Sequence, residues 1–592
     1  MHDPARGEGL SREPSGLSAR MVIGVLLAAC LTSCGGGDSA AGSGLLLGAA
    51  ASPSCGTDLS HLASRVFVDS GAKAGGSCGQ SAATACPTIQ QGIAACAGGG
   101  CGVLVRHGLY PTSAPIVLRD GVSVYAGCRF DADADAVGRP LALYRSVVDA
   151  SLVGGAPAVR ADGINQPTQL RGLTVVVRDV VVTEGDASSY GVPSIGLLIN
   201  ASAGLEVAAS TFSSGRGGVG FGPPATATAS SGGPGGNGGQ SFDDDGGGAG
   251  AACTAQGPSG GGGSGSGWQQ NTLTGSCVFG FCGCQGSHGS SGATAAPWQG
   301  IAGGGGGGPG GDEYGCTGLQ YIATPGKPGG FGAPGRCATA PAPPSPLIWG
   351  RVNGTAWQPG SGSAGLPGVG GSGGGGGGAG GLCALVGLDF HWVPLWGQPG
   401  GGGGGGGCGG GGGNGGQQGG ASIPLLLVGA RPAGSWNSNV YVPGPGGDGG
   451  PGARGGAGGP GGSFGDGTTA QASCTVYQSV RNIGWGGFGG PGGPGGSGGA
   501  GAGGAGGNGG PSIGIGLAGG SRYPDSPTFN GVFDGQPGPG GPGAIGGSDP
   551  NCSAATAQGG VPGGGGGNRA AIDFDSAGAD TRAIGEQLRS RP

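Results

Sequence analysis

Gly486-Gly487-Phe488-Gly489-Gly490-Pro491-Gly492-Gly493-Pro494-Gly495-Gly496-Ser497-Gly498-Gly499 is followed shortly by Pro511-Ser512-Ile513-Gly514-Ile515-Gly516-Leu517. The first stretch repeats every three residues; the second is a short apolar word of strand length. Three chain states fit the repeat. A collagen helix needs Gly at every third place without exception. Here the period breaks repeatedly, the second position is mostly Gly, and Cys, Trp and apolar words interrupt it, so collagen is rejected. A disordered linker is the second state, because Gly loses more freedom on ordering than any other residue. The third is a bundle of extended strands with three residues per turn and no internal hydrogen bonds. Gly on two of three faces would let neighbours approach and pair N–H with C=O. Phe488, Pro491, Pro494 and Ser497 would then line one edge.

Working outward, the apolar word returns. Pro193-Ser194-Ile195-Gly196-Leu197 and Ala421-Ser422-Ile423-Pro424-Leu425-Leu426-Leu427-Val428 share its Ser-Ile core. One structural slot for all three is expected, with the Gly tracts as long insertions gathered on one side. The Gly-rich region also holds all eight Trp and ten of the 18 Cys. A plain linker has no use for so many aromatic and stapling residues. Order and disorder both stay open from composition alone.

Composition narrows the function classes. Of 592 residues, 166 are Gly and 44 are Pro, more than a third together; ordinary usage is roughly 12%. Only 9% are charged and the net charge is -6. A nucleic-acid binder built on a basic face is excluded. Five His leave little material for metal or acid–base chemistry.

Residues 56–215 are Gly-poor and rich in short β-branched clusters, such as Val103-Leu104-Val105, Val122-Ser123-Val124-Tyr125 and Leu173-Thr174-Val175-Val176-Val177. Each is bounded by Gly, Pro, Asp or Asn and reads as a strand. They recur at roughly 19 to 26 residues, a solenoid period. Residues 87–96 break the pattern. Thr88 with Gln91 three residues on is a capping-box signature, and Ile89 and Ile93 share a helical face. A short helix covering the end of the stack is expected.

The string Val66-Phe67-Val68-Asp69-Ser70-Gly71, then Pro87-Thr88-Ile89-Gln90-Gln91-Gly92-Ile93, then Gly108-Leu109-Tyr110 and Gly121-Val122-Ser123-Val124-Tyr125, resembles the entry segment of pectate-lyase-like proteins. That resemblance covers about a quarter of the chain. It implies an all-β, right-handed parallel β-helix (solenoid) with long Gly-rich insertions, partly disordered or polyglycine-II-like. It also implies activities of that group, polysaccharide lyase or glycoside hydrolase. Neither the Gly-His-Gly nor the Arg-Ile-Lys element of the hydrolases occurs, and the chain has just two Lys, Lys73 and Lys327. No catalytic residue and no cofactor is assigned. The pairs Arg178 with Asp179, and Arg160 with Asp162, together with Asp149, read as solvated corners or local ion pairs.

The chain start gives a compartment. Met21 to Ser33 is an uncharged apolar run behind Arg20, too short to span a bilayer as a helix and suited to a secretory signal. Leu31-Thr32-Ser33-Cys34 resembles the lipobox of bacterial lipoproteins; Leu27-Ala28-Ala29-Cys30 fits the same pattern. Cys34 is preferred for acylation because it leaves a longer apolar core and a flexible Gly tether behind it, and Cys30 is the alternative. Removing both leaves 16 Cys, an even number that suits disulfides in an oxidising compartment. Gly35, with no Asp behind the anchor, resembles the sorting pattern that implies the outer membrane of bacterial lipoproteins. The expected organisation is a signal at 1–33, a tether at 34–55, a β-helix module at 56–215, a Gly-rich region with further rungs at 216–568 and a tail at 569–592.

The remaining candidates are weighed by type. Cys96 and Cys101 flank Ala97-Gly98-Gly99-Gly100 and suit a small-loop disulfide. Asp131, Asp133 and Asp135 alternate like hard-cation ligands, but the EF-hand Gly and Glu positions hold Ala136 and Ala142; an acidic loop is favoured over a weak Ca²⁺ site, and no metal is assigned. Cys277, Cys282, Cys284 and His288 could hold Zn²⁺, with disulfides favoured in an exported chain. Trp392 and Trp396 are candidate glycan contacts, set against a packed plug. The function expected is a lipid-anchored envelope protein with a structural or adhesive role, contacting the membrane through its anchor and polysaccharide or extracellular matrix through its surface. The enzyme of the β-helix class is the alternative.

Overall fold

A computed structural model describes residues 55, 57–73, 77–130, 145–151, 155–223, 231, 234, 320–321, 326–339, 350–378, 384–386, 392–394, 400–432, 436–467, 474–475, 489–524, 531–532, 535–546, 560–566 and 568–575. They lie in one compact unit, Pro53–Pro592. Its N-terminal part contains β1 (Ser64–Val68), α1 (Ile89–Ala95), β2 (Cys101–Arg106), β3 (Gly108–Thr112), β4 (Ile116–Val117), β5 (Val122–Cys128), β6 (Ser146–Ala150), β7 (Val159–Asp162), β8 (Thr168–Arg171), β9 (Leu173–Val177), β10 (Ser194–Asn200), β11 (Leu205–Ala208) and β12 (Thr211–Ser213). Short strands follow: β13 (Gln320–Tyr321), β14 (Arg351–Asn353), β15 (Ala356–Gln358), β16 (Ala384–Val386) and β17 (Trp392–Pro394). The last six are β18 (Ser422–Val428), β19 (Val440–Val442), β20 (Cys474–Thr475), β21 (Ser512–Ala518), β22 (Gly531–Val532) and β23 (Asn568–Asp573).

Three parallel sheets take most of these strands. The first runs β1-β2-β5-β8-β11, the second β3-β6-β9-β12-β19-β22, the third β4-β7-β10-β18-β21-β23. Val103, Val124, Leu170 and Val207 of the first sheet are buried in one core with Val148, Val175 and Phe212 of the second and Leu197, Leu425 and Ile515 of the third. The alternating burial of β6 follows from the two-residue period of a strand with one face on a core. α1 closes one end. Thr88 accepts from the Gln91 amide at 3.2 Å, Ile89 and Ile93 are buried, and a Cβ on Gly92 would strike the Val68 and Val103 side chains.

The single right-handed β-helix expected from the sequence is corrected here. The parallel strands form separate sheets, and the sheets do not run the same course: the first stops at β11 while the other two continue. The cause is local. The loop between β18 and β19 stands where another first-sheet strand would be needed, and it satisfies the β11 edge with side chains. Trp436 Nε1 donates to the Leu205 carbonyl at 3.3 Å, and Asn439 Nδ2 donates to the Val207 carbonyl at 2.8 Å. Both side chains are fully buried.

The shared word marks a shared slot. Ser194 pairs with Ser422 and Ile195 with Ile423, and Ser422 pairs with Ser512. All long insertions fall between a second-sheet strand and the next third-sheet strand. That connection takes residues 113–115 after β3, 151–158 after β6 and 178–193 after β9, then expands to 214–421, 443–511 and 533–567. The Ser column ties the corner. Ser194 Oγ accepts the Gly215 amide at 2.9 Å, Ser422 Oγ donates to the Gly215 carbonyl at 2.8 Å and Ser512 Oγ to the Gly444 carbonyl at 2.8 Å.

The described parts of the insertions form a lattice of extended strands. Gly401, Gly404, Gly407, Gly410, Gly413 and Gly416 donate in parallel register to Gly490, Gly493, Gly496, Gly499, Ala502 and Ala505 at 2.8–3.0 Å. Gly492, Gly495, Gly498, Gly501, Gly504, Gly507 and Gly510 donate in antiparallel register to residues from Gly465 back to Gly447 at 2.7–3.1 Å. The step of three is the signature of a chain with three residues per turn, which turns each successive peptide toward a different neighbour. Strand 490–510 is thereby bonded to six segments, within 327–338, 363–378, 401–419, 447–465, 538–544 and 561–564. An added Cβ would land on a neighbouring carbonyl oxygen at Gly490 (Lys327), Gly492 (Gly402) and Gly503 (Ala544), three different faces. Gly is required there by space, and no disordered linker needs to be invoked.

Energetics explain why the sheets must carry the lattice. Ordering a residue costs about 1–2 kcal/mol of backbone entropy, and a hydrogen bond returns about 0.5–1.5 net. With one bond per residue a free Gly strand does not hold. Strands 401–420, 490–510 and 560–566 instead run into β18, β21 and β23, and strands 215–222, 443–465 and 535–546 continue from β12, β19 and β22. Sheet neighbours lie roughly 4.7–4.9 Å apart, so each Gly strand is delivered at hydrogen-bonding distance from the next.

Candidate interaction surface

A strand with three residues per turn points every third side chain the same way. Where that face looks outward, residues other than Gly are tolerated. Asp448, Pro451, Arg454, Ala457, Pro460 and Ser463 form one such row, half-buried to exposed; Gln536, Pro539, Pro542 and Ile545 form another, all exposed. Strand 326–338 exposes Lys327, Pro328, Phe331, Pro334 and Arg336. Short prolyl and aliphatic groups thus alternate with a few charges on a backbone that cannot yield. Pro491, Pro494 and Ser497 are likewise half-buried on one face, as the three-residue period requires; Phe488 lies outside the described residues.

The sheets keep their charges paired. Arg178 grips Asp149 with two bonds of 2.9 and 2.6 Å, and this guanidinium holds the Asp149 carboxyl below the usual carboxylate range. Arg160 pairs with Asp162, and Arg106 with Asp69 at 2.7 Å. Gln169 bridges Tyr125 and Glu206 at 3.0 and 3.1 Å. Burial raises the pKa of the Tyr125 phenol and, far more, of Tyr441. Tyr441 stacks with Phe212, and Tyr523 meets Trp436 edge-on, all as packing. Such pairs neutralise charge on the outer sheet faces.

Among the described residues, three disulfides staple the N-terminal end. Cys96–Cys101 is a disulfide, as are Cys78–Cys86 and Cys55–Cys128; Cys337 and Cys408 in the lattice are also disulfide-bonded. Cys55–Cys128 holds a segment whose Leu59 and Leu62 cover Leu104, Tyr125 and Phe67 on the outer face of the first sheet. The outer face of the third sheet is covered by the β14–β15 hairpin, where Trp357 packs against Ile195, Leu198 and Ile423.

The other candidates fare differently. Trp392 lies in β17, paired antiparallel with β16. Trp396, Cys30, Cys34, Asp131, Asp133, Asp135, Cys277, Cys282, Cys284 and His288 lie outside the described residues. Among the described residues no group of three or more His, Cys, Asp or Glu could hold a metal, and no helix is long and apolar enough to cross a membrane. The exposed row at Pro328, Phe331 and Pro334 was not singled out from the sequence. Its signal was present in the three-residue spacing of Pro328, Phe331 and Pro334, but the outward face is set by which neighbours pack beside it. No family model, curated protein or solved structure matches the chain.

Proposed function

We propose that the protein is a structural or adhesive component of a bacterial cell envelope, anchored by lipid at Cys34 and displaying its Gly lattice as a rigid platform toward polysaccharide or matrix. The observation that carries this reading is the lattice itself. A large share of the chain is spent on hydrogen-bonded backbone whose variable part is rows of outward side chains. A rigid display surface binds without first losing conformational freedom. The disulfides suit an exported chain, and the lipobox-like Leu31-Thr32-Ser33-Cys34 supports the anchor.

The test incubates residues 35–592 with acidic and neutral polysaccharides and reads both retention and new chain ends. Retention without new ends is the expected result. New reducing or unsaturated ends would show a lyase or hydrolase and overturn it. A Cys34→Ser chain should lose acyl labelling in cells; label that persists would move the anchor to Cys30.

A further inference from the structure

One row of the central lattice strand changes its residues partway along. Within 490–510, residues three apart share a face, and one face carries Pro491, Pro494, Ser497, Ala500, Gly503, Gly506 and Gly509. Strand 535–546 lies over the second half of that row. A Cβ added to Gly503, Gly506 or Gly509 would strike the carbonyl oxygen of Ala544, Gly541 or Gly538, so Gly is required by space. Past Gly546 no described strand continues in that place, and there the row holds Ser and Pro. Pro491, Pro494 and Ser497 are half-buried, whereas Gly503, Gly506 and Gly509 are buried.

The place beside Ser497 and the two Pro is a groove of strand shape. Gly449, Gly452 and Gly455 donate to Pro539, Pro542 and Ile545 of strand 535–546 at 2.9–3.2 Å, and Gly504, Gly507 and Gly510 accept from Ala544, Gly541 and Gly538 at 2.8–3.0 Å. Both series run on beyond strand 535–546, as the amides of Gly458 and Gly461 and the carbonyls of Gly498 and Gly495. Among the described residues none of these four groups has a hydrogen-bond partner. Donors and acceptors for one more Gly strand are thus in place at three-residue steps. The side chains of Pro491, Pro494 and Ser497 project where that strand would lie, as the Cβ positions of Gly503, Gly506 and Gly509 show for the covered half.

We propose that this row keeps the lattice from adding a strand of a second copy of the chain: Pro491, Pro494 and Ser497 fill a groove whose backbone groups would otherwise bond it. A free Gly peptide loses too much entropy on ordering to dock there; a second copy brings strands that are already ordered. Strand 560–566 is of that kind. Its Gly564 and Gly565 are exposed, and beyond the chain neighbours the nearest heavy atom to a Cβ on Gly565 is 4.0 Å away. Groove and strand lie at different places on the molecule, so their contact is head-to-tail, and without ring closure it runs on into a filament. Sheet edges are protected from such pairing by Pro and by side chains that stand in the way; the same device serves a polyglycine edge here. The closure holds whether or not the surface is adhesive.

The experiment is sedimentation velocity over a concentration series on residues 35–592, which keep the whole compact unit Pro53–Pro592. Combining Pro491→Gly, Pro494→Gly and Ser497→Gly opens the groove. Combining Pro491→Ala and Pro494→Ala keeps a Cβ in it. The expected result is that the Gly variant forms species of at least about twice the native mass, growing with concentration, while the Ala variant sediments as the native chain does. Adding Gly565→Val to the Gly variant should return it to the native mass; association that persists would overturn strand 560–566 as the strand that enters. Amide exchange at Gly493 and Gly496, which donate to Gly375 and Ser372, reports whether the strand is intact. A Gly variant that sediments as the native chain does, with slow exchange kept, would overturn the closure, and so would association of the Ala variant. If the triple variant exchanges fast, Pro494→Gly with Ser497→Gly is read in its place. Fast exchange in both would assign these residues to strand stability alone and overturn the proposal as well.

Discussion

Ala201 adopts a left-handed backbone, φ 45°, at a corner where the neighbouring turns place Gly163 (φ 62°), Gly429 (φ 56°) and Gly519 (φ 64°). A Cβ in that conformation costs about 1–2 kcal/mol, partly offset by the lower chain entropy of Ala. Ala201→Gly should therefore raise stability by about 0.5–1 kcal/mol, read from the denaturant midpoint. The opposite substitution defines the lattice. Gly501→Ala would set a Cβ on the Gly411 carbonyl oxygen and should cost about 2–3 kcal/mol. Pro460→Ala, on an exposed face, should cost less than about 1 kcal/mol. Equal effects at the two sites would mean that the strands are not in contact. Charge behaves locally too. Because Arg178 lowers the Asp149 pKa in the folded chain, this carboxylate stabilises the fold at pH above its ordinary value of 3.8. That contribution is lost as pH falls through the lower folded value. Arg178→Gln should move the Asp149 carboxyl titration upward, observable by NMR; an unmoved titration would deny the pair.

At the scale of elements, the N-terminal strands and α1 were legible because β-branched clusters bounded by turn residues and a Thr cap leave a local trace. β6 forms where the cluster Ser146-Val147-Val148 reads as a strand, and Thr88 caps as its spacing with Gln91 suggests. The shared slot of Ser194, Ser422 and Ser512 was legible from one repeated word. The end of the first sheet was not. It depends on Trp436 and Asn439, more than 200 residues from the β11 carbonyls they bond, and no local pattern announces so distant a partner. Composition likewise left order against disorder open for the Gly tracts, since the same repeat serves a linker and a lattice strand. The deciding factor is whether sheet strands deliver the tracts side by side. The exposed row at Phe331 was hidden for the same reason. The Cys55–Cys128 staple spans 73 residues. Replacing both Cys by Ser should cost about 2–5 kcal/mol and loosen the cover over Tyr125, seen as faster exchange in β5 with the lattice unchanged. Uniform loosening would mean that the two parts fold as one block.

For the whole molecule, the account joins two architectures by one spacing. The parallel sheets bury a conventional apolar core and hold six Gly strands at one corner in bonding distance. Among its described residues the lattice buries almost no large side chains, so its order is borrowed from the sheets and from disulfides such as those at Cys337 and Cys408. Surface display then follows from the geometry, because most inward positions hold Gly or small residues such as Ser372, Ala502 and Ala505, and bulkier rows such as Pro539, Pro542 and Ile545 face outward. The most direct measurement is residue-resolved amide hydrogen exchange along 490–510 in the native chain. Slow exchange is predicted at each donor of the lattice, Gly492, Gly493, Gly495, Gly496, Gly498, Gly499 and Gly501 among them, with protection well above that of a free Gly peptide. Exchange at free-peptide rates throughout this strand would show a linker and contradict the ordered platform.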